Sequence, residues 1–174
     1  MDNNMSIVTA DSVSQFRLPR YNEIPNVGLY LEQTTKYING YLMPIGFEIT
    51  GSMIRNYVKM GLVKNPVGKQ YYTDQIAHLI AITVLKNVIS LENIAKFFDY
   101  QQKVYTDQVA YDYLCSELEN MICYQFGLKD SVDKIGSTVS AEKKMLRSAI
   151  IALSHITYLN SCFLKLSSKD DTDD

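Results

Sequence analysis

Six stretches of this chain place apolar residues at helical spacing, and only one short stretch among them reads as strand. A chain so patterned folds by packing helix faces together. The first helix is predicted from about Val27 to Leu42, after an extended lead-in bracketed by Pro19 and Pro25, with Leu31, Thr35, Ile38 and Leu42 on its buried face. Pro44 and Gly46 mark a loop. Thr50 is placed to cap a short helix over 51–60, and Gly61 to end it in the left-handed region. Residues 62–72 read as a small β-hairpin, with Leu62 and Val63 in one arm, Asn65 to Gly68 in the turn and Gln70 to Tyr72 in the other arm.

Thr73 is expected to cap a helix to about Val88, with Ile76, Leu79, Ile80, Thr83 and Val84 inward. Ser90 is expected to cap the next, which carries Leu91, Ile94, Phe97 and Phe98. Thr106 or Asp107 opens a helix to Phe126, with Val109, Tyr113, Leu118, Met121, Ile122 and Phe126 on a common side and Gly127 closing it. A polar linker, 129–138, precedes a last helix from Ser140 to about Leu166, in which Leu146, Ala149, Ile150, Leu153, Ile156 and Phe163 align.

A chain of 174 residues, 47% hydrophobic and 21% charged, can bury a core without disulfides. Residues 1–16 and the acidic tail 167–174 have the composition of disordered ends. The runs 79–85 and 149–153 fall short of the roughly 20 apolar residues a membrane span needs. The N-terminus, with Asp2, Asn3 and Asn4, has no charged-then-apolar leader. A cytoplasmic protein that does not cross a membrane is expected.

Cys115, Cys123 and Cys162 lie in apolar helical segments and read as reduced core thiols; Cys115 and Cys123, eight apart, are too distant to chelate a metal from one helix. His78 and His155 lack spaced ligand partners, and Asp107, Asp112, Glu117 and Glu119 read as the solvated face of their helix. No glycine-rich nucleotide motif occurs. These features point to a protein that is not an enzyme and holds no cofactor. Tyr111, Tyr113 and Phe126 are candidates to line a pocket between the C-terminal helices for a small effector.

Charge is unevenly distributed. Residues 1–47 carry a net −1, residues 48–86 a net +3 and residues 87–174 a net −4. A basic patch in an acidic chain suits a polyanionic partner. On the helix over 51–60, Ser52, Arg55, Asn56 and Lys59 cover the half opposite Met53, Ile54, Tyr57, Val58 and Met60. Helix, break, amphipathic helix, hairpin and helix is the order of a winged helix-turn-helix. In that reading Arg55 and Asn56 read bases, and Thr50 and Ser52 at the helix start face phosphate. Lys59, Lys64 and Lys69, with Tyr71 or Tyr72, contact the DNA backbone.

The stretch SMIRNYVKMGLV, then Pro66, YYT and VLKNVISLENIAKFF, resembles the DNA-binding domain of MerR-type regulators. Ile54, Arg55, Tyr57, Gly61, Leu62, Tyr72, Leu91, Glu92 and Ile94 stand at the places of that pattern. The chain departs from it in a longer first helix and the loop MPIGFE. Over about 17–126, the blocks LPRYNEIPNVGLYLEQ, MIRNYVKMGLV, KQYYTDQIAHLI, VLKNVISLENI and AYDYLCSEL resemble the bacterial domain-of-unknown-function family 1836. That resemblance implies a cytoplasmic bacterial protein that regulates transcription.

The expected fold is therefore mainly α: a MerR-like winged helix-turn-helix over 17–100, and a helical region over 101–166 for dimerisation and effector binding. Double-stranded DNA and a second copy of the chain are the expected partners. The competing expectation is a protein-interaction module that keeps the winged-helix shape without binding DNA.

Overall fold

In the computed structural model, which describes residues 8–136 and 139–170, helix α4 (Thr73–Leu85) is enclosed on nearly every side. Ile76, Leu79, Ile80, Thr83 and Val84 point inward as their spacing predicts, and Ala77, Ala81, Ile82 and Leu85 are buried as well. Tyr72, not Thr73, is its N-cap residue. The Thr73 hydroxyl donates instead toward the carbonyl of Pro25, at 3.3 Å.

Around α4 stand α2 (Leu31–Leu42), α5 (Leu91–Gln101), α6 (Asp107–Gln125) and α7 (Ala141–Asp170). The amphipathic α3 (Gly51–Lys59) lies against α2. Ser90 and Thr106 cap α5 and α6 through the amides of Asn93 and Val109. The described residues are thus mainly helical, with one two-stranded antiparallel sheet. A single core cluster runs from Val8 to Leu153, so no gap in the core falls at residue 100.

The sheet differs from the expected hairpin. Strand β2 (Gln70–Tyr71) pairs with β1 (Leu29–Tyr30), in the register Leu29 to Tyr71 and Tyr30 to Gln70. Leu62 and Val63 form no strand; both side chains are buried in the core. The first helix consequently begins at Leu31 rather than near Val27, and its buried positions are Thr34, Ile38 and Leu42, not Leu31 and Thr35.

Several further expectations are corrected. Within 1–16, Thr9 caps a short helix α1 (Ala10–Ser14) that buries Val13, with Val8 and Phe16 buried beside it; residues 1–7 lie outside the described residues. At the other end α7 continues to Asp170, and 171–174 lie outside the described residues. Val109 is exposed on α6, and Ile156 and Phe163 are exposed on α7. Within α7, Ala141–Ser168 is long and apolar enough to cross a membrane by length and composition, a test that core helices also pass. Contiguous apolar runs miss this because serines and threonines interrupt α7 where charges do not.

Three of the four carboxylates of α6, Asp112, Glu117 and Glu119, face protein. Glu119 takes two hydrogen bonds from the Arg20 guanidinium, each 2.7 Å, and one from the Leu18 amide at 2.9 Å. Asp112 accepts from the Tyr21 amide. Glu117 is fully buried, with Oε1 accepting from the Tyr113 hydroxyl and Oε2 lacking a partner among the described residues. Spacing alone could not separate Asp112 and Glu119 from a solvated stripe, because their partners lie about a hundred residues away.

Candidate nucleic-acid interface

Helix α3 owes its position to its two ends. At its start the Thr50 hydroxyl accepts from the Met53 amide at 3.2 Å. Just ahead, Asn39 of α2 binds both backbone groups of Ile49, donating to its carbonyl at 2.9 Å and accepting from its amide at 2.8 Å. At its end Gly61 takes φ 75°. The Gly61 amide donates to the Val58 carbonyl and the Leu62 amide to the Tyr57 carbonyl, each at 3.0 Å, closing a Schellman motif.

Ile54 and Tyr57 anchor the inner face, and Tyr57's phenol pKa is raised by burial. The outer face carries Ser52, Met53, Arg55, Asn56, Lys59 and Met60, all exposed. At 100° per residue Arg55 and Lys59 form one flank of that face, and Met53 and Met60 the other.

The segment after α3 is tied down by Gln75 of α4, whose buried amide donates to the carbonyls of Lys64 and Asn65. It then reverses at Gly68 and Lys69, with φ of 57° and 63°. Paired hydrogen bonds of 3.0 Å between Val67 and Gln70 complete a type I′ turn. Lys69 therefore projects from the tip and Lys64 from the approach, both exposed.

The cations expected at Arg55 and Lys59 are exposed on α3 beside Ser52 and Asn56, those expected at Lys64 and Lys69 are exposed on the turn that follows, and Thr50 is exposed at the helix start. Tyr71 does not join them: it is 4% exposed, at the root of the sheet. Burial raises its phenol pKa, while the nearby positive charge of Arg55 acts the other way. Tyr72 is half-buried and stays beside Gln70.

Tertiary packing adds one cation that spacing did not single out. Lys86, the residue after α4, brings its ammonium to 3.3 Å from the sulfur of Met53. Partial burial lowers its pKa and the charge of Glu48 opposes that shift. Its only sequence signal is a lysine at a helix end, a place the helix dipole favours regardless of ligand.

The expected effector pocket is not assembled. Tyr111 is buried beside a cavity of about 30 Å³ among α4, α5 and α6, room for about one water. Its hydroxyl donates to the Pro19 carbonyl at 2.9 Å. Tyr113 lines a separate recess with Tyr105 and Lys143, and Phe126 packs edge-on against Tyr158. Cys115 is a buried thiol whose pKa burial pushes up to about 12, while Cys123 and Cys162 are half-buried and free. His78 rests edge-on against Phe98. Among the described residues no three His, Cys, Asp or Glu side chains stand as a metal site.

Fold and surface together define a mainly helical protein with a small antiparallel sheet and a cationic helix face. Residues 19–118, more than half of the chain, match the family described as Domain of unknown function (DUF1836), and the chain belongs to that family. Helix α7 lies outside the matched residues. No curated protein and no solved structure matches the chain.

Proposed function

We propose that this protein is a transcriptional regulator of the cytoplasm, without enzymatic activity, that binds duplex DNA as a homodimer through α3 and the basic turn after it, in the manner of a MerR-like winged helix-turn-helix. One observation carries the reading: Arg55 and Lys59 are exposed on the outer face of a helix capped at both ends, and Lys64 and Lys69 are exposed on the turn that follows it. Arg55 and Asn56 suit guanine and adenine edges in the major groove. The lysines suit phosphates.

A second reading, protein binding through the same face, draws on exposed Met53 and Met60 along its other flank. Salt separates the two. Binding to the DNA upstream of the protein's own gene, followed by gel shift at 50 and 200 mM salt, is expected to weaken by orders of magnitude at the higher salt. Arg55→Ala and Lys59→Ala are each expected to weaken it further, Arg55→Ala with loss of sequence preference worth about 1–3 kcal/mol. Retardation that is absent, or indifferent to both substitutions, would overturn the proposal.

A further inference from the structure

A recess of about 280 Å³ opens between the segment that leaves α3, the first turns of α4, and α5. Leu62 and Phe98, both buried in the core, give it an apolar floor. Its walls are polar. Helix α4 contributes Asp74 and His78, one turn apart, α5 contributes Asp99 and Gln102, and the segment after α3 contributes Lys64. A concave space with an apolar floor and a few polar groups of both signs has the makeup of a small-molecule site.

The fold sets several of these groups in place. Gln75 donates to the carbonyls of Lys64 and Asn65, which fixes the backbone that carries Lys64 to the start of α4. The His78 ring stands edge-on to Phe98 of α5, with centroids 5.3 Å apart, and its Nδ1 lies 2.8 Å from the Asp74 carbonyl. A carbonyl only accepts, so Nδ1 carries the proton and the neutral ring offers Nε2 as an acceptor. Asp74 takes the Tyr21 hydroxyl on one oxygen and keeps the other.

Among the described residues neither Asp99 nor the Lys64 ammonium has an ion-pair partner. Opposite charges therefore line one recess without meeting. Asp74 and Asp99 against Lys64 leave the lining one negative charge in excess. The complementary ligand carries two cationic groups and one carboxylate. The carboxylates and the imidazole do not converge as metal ligands do.

We propose that this recess binds a basic α-amino acid. Its α-carboxylate and α-ammonium, joined through a single carbon, fall at Lys64 and Asp74, which Gln75 holds side by side at the start of α4. The aliphatic stem covers Leu62 and Phe98, with His78 Nε2 as a further acceptor along it. The distal cation reaches Asp99, where a guanidinium makes the paired hydrogen bonds that a carboxylate accepts best. Lys64 is one of the cations assigned to phosphate above, so a bound carboxylate withdraws it from DNA. That consequence rests on the DNA-binding reading; the site does not, and its readouts are taken without DNA.

The test is titration calorimetry on the full chain with L-arginine, expected to show saturable binding at one site per chain. Agmatine, which keeps the guanidinium but lacks the carboxylate, is expected to bind about tenfold more weakly, and L-glutamate not to bind. Asp99→Asn, at an exposed position without an ion-pair partner, is expected to weaken arginine binding at least about tenfold while far-ultraviolet circular dichroism stays unchanged. Lys64→Ala is expected to abolish the preference for arginine over agmatine. An arginine titration that does not saturate, agmatine binding as tightly as arginine, or an affinity that Asp99→Asn leaves unmoved would each overturn the proposal.

Discussion

Lys69 keeps a backbone conformation that a residue with a Cβ adopts at a cost, at the second centre of a type I′ turn where glycine is the ordinary choice. A charge at that tip compensates only if something outside the protein uses it. Lys69→Gly is therefore expected to raise folding stability by about 0.5–1 kcal/mol in urea titration. In the same variant the slope of log affinity for DNA against log salt should fall by about 0.9, one phosphate contact. A stable variant with an unchanged slope would leave the lysine without a nucleic-acid role. Arg55, Asn56, Lys59 and Lys69 were legible from sequence because a single helix and a single turn fix their exposure. Tyr71 and Lys86 were not: which of two adjacent tyrosines faces the core depends on β1, and Lys86 reaches α3 only after α4 packs.

Helix α3 is the element whose existence the sequence specifies best and whose anchoring is most local. Its nine residues are too few to hold a helix in isolation, so its caps and its two buried side chains carry it. Thr50→Ala, which removes the cap on the Met53 amide, is expected to cost about 1 kcal/mol. Gly61→Ala, which forces a Cβ into the left-handed region, is expected to cost about 1–2 kcal/mol. The two sites share no partner and stand at opposite ends, so the losses measured by thermal unfolding should add in the double variant. The sheet is the contrasting element. Nothing between residues 62 and 72 reveals that the partner of β2 precedes α2 in the chain, and a two-residue strand has no pattern long enough to declare itself.

Across the whole molecule the N-terminal segment adds a polar tie to α6 beside the shared core. Leu18, Pro19, Arg20 and Tyr21 lie on α6, bound by Glu119, Asp112 and the Tyr111 hydroxyl. The Arg20–Glu119 pair is shielded from water on most of its surface. Glu119→Ala leaves a guanidinium and the Leu18 amide without their acceptor, and is expected to lower stability by about 2–3 kcal/mol in urea titration. A loss no larger than that of an exposed ion pair, under about 1 kcal/mol, would show that the segment is held by its apolar contacts alone. The sequence by itself determined the helices, most of their caps and the outward residues of α3, because periodicity and capping act within a few residues. Only the tertiary structure decided the pairing of β1 with β2, the burial of Glu117, the pairing of Arg20 with Glu119, and the exposure of Ile156 and Phe163 on α7. Each of these depends on contacts between positions tens to more than a hundred residues apart, and such contacts exist only once the chain has closed on itself.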